Sequence, residues 1–525
     1  MHLNRTTFGF LMTVGMACGL ALGGFASSAA AKTIVVNTLT DTADSPFNAA
    51  GDCGTGTIKD LPGADHQISL REAIIAANNT PGADTITFAS NLKGGTIVVG
   101  FNGLPLPALC GGQTRINGDL NGDDGPDITL EGATFPVAAP TFTSAAGILI
   151  LSSHNTINGL RIQHFPAGIR VRAGDLTNPG TVEHTRVTNN ILAESKLDGL
   201  FVATGDVPDS LVAHTTITQN EVSNNARFGV FIVASLSNAG SNSQIDHTRI
   251  TDNEVTGNRS VGIFVGSILG DHNVITDAFI AHNTVSGNNL FGINASSGIA
   301  GADGNILDVF IKDNTVADNG VGGIRVNAGQ DNSSNNRIVA QVRGNTVERN
   351  HQICGILANA AVGASNPVAT GTSTNNVLDV GIMRNTVRSQ TGAGICVIGA
   401  SGGPGGQAGA IGDNNQVTAI VRQNVVEDST GEGIYLAAGA EGLASANTLD
   451  VWVAHNTVCN NGTGIVGEGG ASAHPPLPPN LGTGNRLQGL IFGNTATTVT
   501  VQNGIQNGTP ENTADVIQFN NDPCP

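Results

Sequence analysis

Short runs of alternating apolar and polar residues recur along most of the chain. Two clear examples are residues 307–316 and 449–458, where apolar residues stand at every second position before an Asn-Thr-Val sequence. A period of two is typical of a β-strand with one buried face. No copy contains a helical pattern of ten residues, which excludes leucine-rich, ankyrin and other solenoids that contain helices.

Two columns of identical residues align these runs as a repeat. The asparagine column, with spacings of 30 to 40 residues, comprises Asn190, Asn220, Asn253, Asn283, Asn314, Asn345, Asn385, Asn424 and Asn456. The glycine column, in which an aliphatic residue always follows, comprises Gly168, Gly199, Gly229, Gly262, Gly292, Gly323, Gly355, Gly394, Gly433 and Gly464. A Gly suits a sharp corner, and stacked Asn side chains can satisfy buried amides along an axis.

Three short strands in a repeat of about thirty residues give one coil of a parallel β-helix. We therefore predict an all-β solenoid of about ten coils between residues 145 and 500. The variable segments at 361–374, 401–413 and 467–484 are predicted to be loops on one side of the solenoid.

Composition narrows the possible functions. Of 525 residues, 71 are Gly and 12% are charged, and there is one Trp and one Tyr. A coiled coil needs abundant charged helix formers, and a disordered chain has few aliphatic residues, so both classes are excluded. The net charge of −18 argues against non-specific nucleic-acid binding. We therefore predict no nucleic-acid partner.

The N-terminus has the pattern of a secretory signal. Arg5 precedes an apolar stretch at 8–25, and the small residues at 29–31 form a cleavage site. We predict cleavage after Ala31 and a secreted or cell-surface protein. The mature chain is expected to be monomeric and to have no integral membrane segment.

Six cysteines follow the predicted signal, and an even number favours disulfides in an exported protein. We favour pairing of Cys53 with Cys110 and of Cys459 with Cys524. Cys354 and Cys396 are offset by three positions relative to their corner Gly residues. A straight strand separates such positions by about 10 Å, so we predict no bond between them unless the register shifts.

The N-terminal region carries the sequences ISLREAI at 68–74, AAN at 76–78 and GADTITF at 82–88. It resembles the CSLREA domain of secreted bacterial β-helix proteins, with Ile68 where that family has Cys. The Asn-rich coils resemble the right-handed parallel β-helix repeats of the pectate-lyase-like superfamily. The resemblance implies export and a right-handed β-helix, and it supplies no reaction.

Residues around the SLREA sequence suit a cap over the open end of the solenoid. Leu70, Ala73, Ile74 and Ala77 fall on one face of a short helix, while Arg71 and Glu72 are suited to salt bridges within the cap. The predicted parts are a signal peptide at 1–31, a CSLREA-like cap with the first coils at 32–144, repeats at 145–500 and a tail at 501–525.

Outward positions before the column asparagines carry the candidate chemistry. We predict a cluster on one exposed sheet that comprises His184, His214, His247, Arg186, Arg249, Asp277 and Asp308, with Arg161 of the preceding coil as a binding residue. Arg binds a carboxylate through a fork, and His or Arg can remove a proton alpha to a uronate carboxylate. The three His, one coil apart, could instead hold a metal. The third interpretation is a solvated polar face.

Aromatic residues form a second candidate set. Phe201, Phe231 and Phe264 follow the corner Gly in consecutive coils, and Trp452 is outward by the alternation. An exposed Phe stripe could bind sugar or a protein, or the same residues could lie under neighbouring loops. Trp452 is a candidate sugar-binding residue.

An acidic loop is a candidate calcium site. Asp119, Asn121, Asp123 and Asp127 stand at alternating positions in a Gly-containing segment, and oxygen ligands suit Ca²⁺. The alternative is a plain Asp/Gly turn.

Two functional hypotheses follow from these residues. The first is a non-catalytic surface or matrix protein that binds a polysaccharide, a cell-surface glycan or a partner protein through its long sheet. It is favoured by scarce aromatic residues and by the absence of the charged motifs of known β-helix enzymes. The alternative is a polysaccharide lyase or glycoside hydrolase that acts on an anionic polysaccharide. It is favoured by a basic cluster on an acidic chain.

Overall fold

The computed structural model describes residues 31–48, 53–136, 145–174, 178–235, 237, 240–362, 371–401, 412–440, 444–470, 483–503 and 512–525. The predicted signal peptide lies outside the described residues, apart from Ala31. Most of the three predicted loops also lie outside them.

Strands stack into three long sheets. The first sheet comprises Lys32–Val36, Asp84–Phe88, Thr114–Asn117, Thr156–Asn158, Thr181–Glu183, Arg186–Thr188, Leu211–Ala213, Thr216–Thr218, Gln244–Asp246, Arg249–Thr251, Val274–Ala281, Ile306–Lys312, Arg337–Arg343, Val377–Met383, Gln416–Arg422, Thr448–Ala454, Arg486–Phe492 and Thr513–Phe519. The second sheet comprises Thr96–Val98, Ile128–Glu131, Leu160–Gln163, Ile191–Ala193, Glu221–Ser223, Glu254–Thr256, Thr284–Ser286, Thr315–Ala317, Thr346–Glu348, Thr386–Arg388, Val425–Glu427, Thr457–Cys459 and Thr495–Ala496. The third sheet comprises Ala146–Ile150, Ala167–Ala173, Asp198–Thr204, Val230–Val233, Ile263–Gly266, Phe291–Ser296, Gly322–Asn327, Cys354–Asn359, Ala393–Ile398, Glu432–Ala437, Thr463–Glu468 and Val499–Gln502.

Each coil adds one layer to each sheet and pairs in parallel with the next coil. The fold is a right-handed parallel β-helix, as predicted. The third sheet has 12 strands, against about ten predicted coils. The additional strands are Ala146–Ile150 and Val499–Gln502, which lie at the two ends of that sheet.

The core is one continuous stack of inward aliphatic side chains. In the strand Ile306–Lys312, Leu307, Val309 and Ile311 are buried and the residues between them face outward. Because adjacent strands pair in register, each inward apolar residue stacks on the inward apolar residue of the next coil. Burial of such a stack is the main stabilising contribution to the solenoid.

Buried asparagines form hydrogen-bonded ladders along the axis. In the first ladder, the backbone N–H of Asn283 donates to Oδ1 of Asn314 over 3.0 Å, and the contact repeats from coil to coil. This ladder continues beyond the predicted column to Asn494 and Asn521. The ladders satisfy backbone groups at the corners where no strand pairing is available.

A further ladder, which was not predicted, lies at the corner just before the first-sheet strands. Its members are Asn273, Asn305, Asn336, Asn376, Asn415, Asn447, Asn485 and Asn512. Each of these side chains is buried. Buried amides thus also occupy the corner before the first sheet, where the sequence alignment predicted none.

The helix Leu70–Asn78 is buried through Ala77 and packs against the first two strands of the first sheet. Ser69 and Glu72 form a capping box at its N-terminus, and burial raises the pKa of Glu72 to about 7. Arg71 pairs with both carboxylate oxygens of Asp41 at 2.7 and 2.8 Å. Arg71 and Glu72 therefore make these contacts within the N-terminal region.

Short 3₁₀ helices complete the N-terminal region, at Ile58–Asp60, Ser90–Leu92 and Phe101–Gly103. Among the described residues, no helix is long and apolar enough to cross a membrane.

Three disulfides are formed. The predicted pairs Cys53–Cys110 and Cys459–Cys524 are confirmed. The prediction for Cys354 and Cys396 was wrong, because these residues are bonded, with their Cα atoms 6.2 Å apart. They retain the three-residue offset, since Cys354 pairs with Ala393. A straight strand would place them about 10 Å apart, so the backbone must bend between them at the corner.

Candidate functional site on the first sheet

The predicted His column lies on a bulge and not on a straight strand. His184 stands between the short strands Thr181–Glu183 and Arg186–Thr188. His184, His214 and His247 have φ values of 55, 53 and 49°, in the left-handed region where non-Gly residues are uncommon. A bulge has one more residue than a straight strand, and this residue changes the direction of the neighbouring side chains.

The bulge ends one coil after His247. Asp277 still has a φ of 49°, but the pairing of Val274–Ala281 with Ile306–Lys312 shifts register between Ile275 and Ala278. From there on the first sheet consists of uninterrupted strands. The bulged coils are therefore a distinct surface near the N-terminal part of the solenoid.

Four imidazole rings stack along the bulge. The ring centroids of His154 and His184 are 4.7 Å apart, those of His184 and His214 4.6 Å, and those of His214 and His247 4.9 Å. These spacings follow the rise of one coil, about 4.8 Å. We call His154, His184, His214 and His247 the imidazole ladder.

The ladder ends among carboxylates. Oδ2 of Asp246 lies 2.7 Å from Nδ1 of His247, and Oδ2 of Asp277 lies 3.2 Å from Nε2 of the same ring. Partial burial raises the pKa of Asp246, but the hydrogen bond from Thr276 and the adjacent imidazole of His247 outweigh it and leave that pKa lowered. His247 is thus held between two acidic side chains.

Asp308 follows Asp277 in the next coil. Partial burial, together with the nearby charge of Asp277, raises the pKa of Asp308. The structure therefore places His247 beside Asp277, and Asp308 lies in the coil after that of Asp277.

Two arginines flank this surface. Arg186 and Arg249 are exposed on the first sheet, and both pair with Thr216, which occupies the intervening coil. The guanidinium carbon of Arg249 lies 5.5 Å from the ring centroid of Phe279. The two guanidinium groups thus belong to coils on either side of His214.

Arg161 does not join this surface. It belongs to the second sheet, where it pairs with Ile191, and its side chain is half-buried. The prediction that it lies beside Arg186 was wrong because its strand, Leu160–Gln163, follows the corner after the first sheet.

The predicted Phe stripe is covered. Phe201, Phe231 and Phe264 are buried at 2, 1 and 2% exposure. They form a small apolar cluster on the outer side of the third sheet, with Phe228 stacked on Phe231 at 4.3 Å. Their prediction as substrate-binding residues is corrected, because the covering segments leave no ring accessible.

Trp452 is outward, as the alternation predicts, and is 47% exposed. It belongs to a line of exposed apolar side chains in consecutive coils, which are Ile420, Trp452, Leu490 and Ile517. We call these four residues the apolar column. The ring centroid of Phe492 lies 6.2 Å from that of Trp452.

The candidate calcium loop is closed by its own hydrogen bonds. Oδ1 of Asp119 accepts from the N–H of Gly122 over 2.7 Å, and Oδ2 of Asp123 accepts from the amide of Asn121 over 2.6 Å. Asp127 accepts from the N–H of Leu120 and pairs with Lys93 at 3.2 Å. This arrangement is that of an Asp/Gly turn.

Among the described residues, one group of donor atoms lies close enough together to share a metal ion. Donor atoms of Asp246, His247 and Asp277 lie within 4.8 Å of one another, which the acidic loop around Asp119 and Asp127 does not achieve. His184 and His214 are outside this group, so the three predicted His do not converge on one ion.

Two residues of the site escaped the sequence alignment. His154 belongs to a coil in which Leu160 stands in place of the column Asn, so the predicted column began one coil too late. Asp246 stands next to His247, and strict alternation places neighbouring residues on opposite faces. The bulge places both on the outer side, which the alternation alone could not indicate.

Comparisons with known proteins show similarity at the level of the fold. No family model matches the chain, and no curated protein does. A mutant of the periplasmic alginate epimerase AlgG is 12% identical with a TM-score of 0.39, over 84% of this chain and 77% of that one. The A-module of the Azotobacter vinelandii mannuronan C-5 epimerase AlgE6 is 11% identical with a TM-score of 0.37, over 85% and 91%. The pectate lyase Pel9A is 12% identical with a TM-score of 0.31, over 83% and 79%.

Proposed function

We propose that this protein is an exported enzyme that acts on an anionic polysaccharide at the bulged coils of the first sheet. The observation that carries the proposal is the imidazole ladder, three of whose rings are exposed, with exposed Arg186 and Arg249 in the same coils. On a chain of net charge −18, this concentration of basic side chains on one face suits an anionic ligand.

The two arginines suit a polymer with regularly spaced carboxylates. They are two coils apart, which is about 10 Å. A sugar residue of an extended chain is about as long as one coil rise, so a uronate chain lying along the axis can present a carboxylate to each guanidinium. Arg binds a carboxylate through two parallel hydrogen bonds, which fixes the sugar ring as well as its charge.

His214 is the candidate general base. It lies in the coil between the two arginines, and its exposed ring is stacked between those of His184 and His247. Neutralisation of a uronate carboxylate by Arg favours loss of the alpha proton, because the electrons left behind move into the carboxylate. The proton passes to an imidazole nitrogen, and the resulting anion either expels the glycosidic oxygen or takes a proton back.

A non-catalytic binding role is the second candidate function, and the apolar column favours it. Trp452 and Leu490 are exposed in neighbouring coils, and an aromatic ring flanked by apolar side chains can contact the apolar face of a sugar. In this case the long sheet would hold a glycan without changing it.

The remaining proposals concern the parts of the chain. We propose that residues 1–31 direct export and are removed, and that residues 32–144 form a CSLREA-like cap with the first coils. We propose that residues 145–500 form the repeat region and that residues 501–525, which include the strand Thr513–Phe519, cap its C-terminal end. The three disulfides support an oxidising compartment, and we propose a monomer that is secreted or held at the cell surface.

The test is a turnover screen of the mature protein against acidic and neutral polysaccharides, which follows unsaturated products, new reducing ends and exchange of the alpha proton. His214→Asn keeps a residue that accepts the left-handed backbone and removes the imidazole. We expect turnover of an acidic polysaccharide that falls at least a hundredfold in this variant. His282→Asn is the matched control, because His282 is exposed, has a φ of 57° and lies outside the ladder.

Binding without turnover across the panel would contradict the enzyme and leave the glycan-binding role. In that case Trp452→Ala should weaken binding, whereas Thr315→Ala, at an exposed position of the second sheet, should not.

A further inference from the structure

We propose that His247 and Asp277 bind a divalent transition metal of the zinc class, with Asp246 as the residue that orients His247. The site lies at the end of the imidazole ladder, where the bulge stops. It is distinct from the acidic loop around Asp119 and from a site shared among three His residues.

The distance between the two ligand atoms fits this metal. Zinc binds imidazole nitrogen at about 2.0–2.1 Å and carboxylate oxygen at about 2.0–2.2 Å, in tetrahedral geometry. Two such ligands are separated by roughly 3.3–3.5 Å across the metal. Nε2 of His247 and Oδ2 of Asp277 are 3.2 Å apart, so the ion fits with both side chains close to their present positions.

Asp246 places a carboxylate beside the second ring nitrogen of His247. Its Oδ2 lies 2.7 Å from Nδ1 of His247, and its Oδ1 accepts a hydrogen bond from Thr276 Oγ1 over 2.5 Å. A carboxylate at Nδ1 favours the tautomer with the proton on Nδ1, which leaves the Nε2 lone pair for the metal.

The negative charge around His247 also favours a bound cation. Asp246 and Asp277 flank one imidazole, and Asp308 lies in the coil after that of Asp277. Among the described ion pairs, neither Asp246 nor Asp277 has a Lys or Arg partner. A divalent ion between His247 and Asp277 would neutralise this concentration of negative charge.

The site is accessible. The side chains of His247 and Asp277 are 42 and 55% exposed, so the ion can enter from solvent and keep water in its remaining positions. Two protein ligands with water in the other positions describe an exchangeable site and not a closed structural one.

The experiment is a calorimetric titration of the full mature chain, stripped with chelator, with zinc chloride and no polysaccharide. We expect one saturable site per chain. Asp277→Asn and His247→Gly should weaken zinc binding at least tenfold, and Asp246→Asn should weaken it by about 10- to 100-fold. Gly and Asn both accept the φ of 49° found at His247 and Asp277, so the backbone is retained.

His282→Gly is the matched control, since His282 is also exposed at a left-handed position, with a φ of 57°. It should bind zinc as the unmodified protein does. If His247→Gly does not fold, as judged by thermal unfolding, Asp277→Asn and Asp246→Asn decide the outcome. Absence of saturable binding would overturn the site, as would affinities within twofold of the unmodified protein in the folded variants, or an equal loss in the control.

The titration contains no polysaccharide, so its outcome does not depend on the proposed function. Zinc binding without turnover would leave the metal site and remove the enzyme. Turnover that persists in chelator, with no zinc binding, would do the reverse.

Discussion

His164 shows how one side chain at a left-handed position joins neighbouring coils. Its Nδ1 lies 2.9 Å from Oε2 of Glu131, and its Nε2 lies 2.9 Å from Oε2 of Glu194. The hydrogen bond with Glu131, followed by that with Glu194, raises the pKa of His164 despite partial burial. The charged imidazole therefore bridges two acids that would otherwise repel.

This bridge predicts a pH dependence of stability. The folded-state pKa of His164 is raised above its ordinary value of 6.5, so the folded state holds the proton more tightly than the unfolded state. The stabilisation is fully present below about pH 6.5 and is lost as pH rises through the folded pKa. His164→Asn keeps a residue that tolerates the φ of 61° and removes the charge.

We expect the thermal midpoint of the unmodified protein to exceed that of His164→Asn most at about pH 6, and the difference to shrink towards pH 9. The effect is small because the ring is 37% exposed. A difference that grows with pH, measured by thermal unfolding in matched buffers, would contradict the bridge.

At the scale of the structural element, the asparagine ladder predicts a large cost for one buried amide. Asn314 accepts from the N–H and the amide of Asn283, and it donates to Ile280 O and to Asn345 Oδ1. Asn314→Ala leaves buried donors and acceptors without partners. We expect a loss of about 3–5 kcal/mol of unfolding free energy.

Urea unfolding, with hydrogen exchange at the amide of Asn283 as a local probe, measures this loss. Thr315→Ala is the matched control, because Thr315 is the next residue and is exposed, so its change should stay within about 0.5 kcal/mol. Equal effects of the two substitutions would show that the ladder does not stabilise the coils.

The sequence predicts those elements whose pattern repeats in register. The core positions Leu307, Val309 and Ile311 follow directly from a period of two, and the corner Gly residues fix where each coil turns. The bulge around His184 was not predicted, because one extra residue shifts the alternation without changing the types of residue in the segment. The same shift hid Asp246, whose outward direction depends on the bulge and not on the alternation.

At the scale of the whole molecule, disulfides tie the solenoid together at its two ends and in its interior. Cys53–Cys110 lies in the N-terminal region, Cys459–Cys524 holds the last residues, and Cys354–Cys396 links adjacent coils of the third sheet. The two terminal pairs were predicted from the sequence. The Cys354–Cys396 bond was not predicted, because the distance between the two residues was taken from a straight strand.

The third disulfide predicts a measurable stabilisation. Its sequence separation is 42 residues, and closing a loop of this length in the unfolded chain is worth about 4 kcal/mol in the chain-entropy model. The double variant Cys354→Ser/Cys396→Ser should lose roughly this amount in chemical unfolding. Peptide mapping without reductant should show the two cysteines linked, and free thiols at both positions would contradict the bond.

The candidate site is also a property of the whole molecule, since its residues come from consecutive coils. The residue types of His184, His214, His247, Asp277 and Asp308 were visible in one sequence column, and their contact follows from stacking. The sheet that holds Arg161 was not visible, because it depends on where the chain turns a corner. The burial of Phe201 was not visible either, because it depends on which segments pack outside the third sheet.

The central claim is that the imidazole ladder, with Arg186 and Arg249, removes a proton from an anionic sugar. The most direct measurement is nuclear magnetic resonance of a uronate polysaccharide incubated with the mature protein in deuterated water. We predict that deuterium enters the carbon alpha to the carboxylate, or that an unsaturated product forms, and that both signals are lost with His214→Asn and retained with His282→Asn. A polysaccharide panel that binds but keeps every alpha proton would contradict the claim.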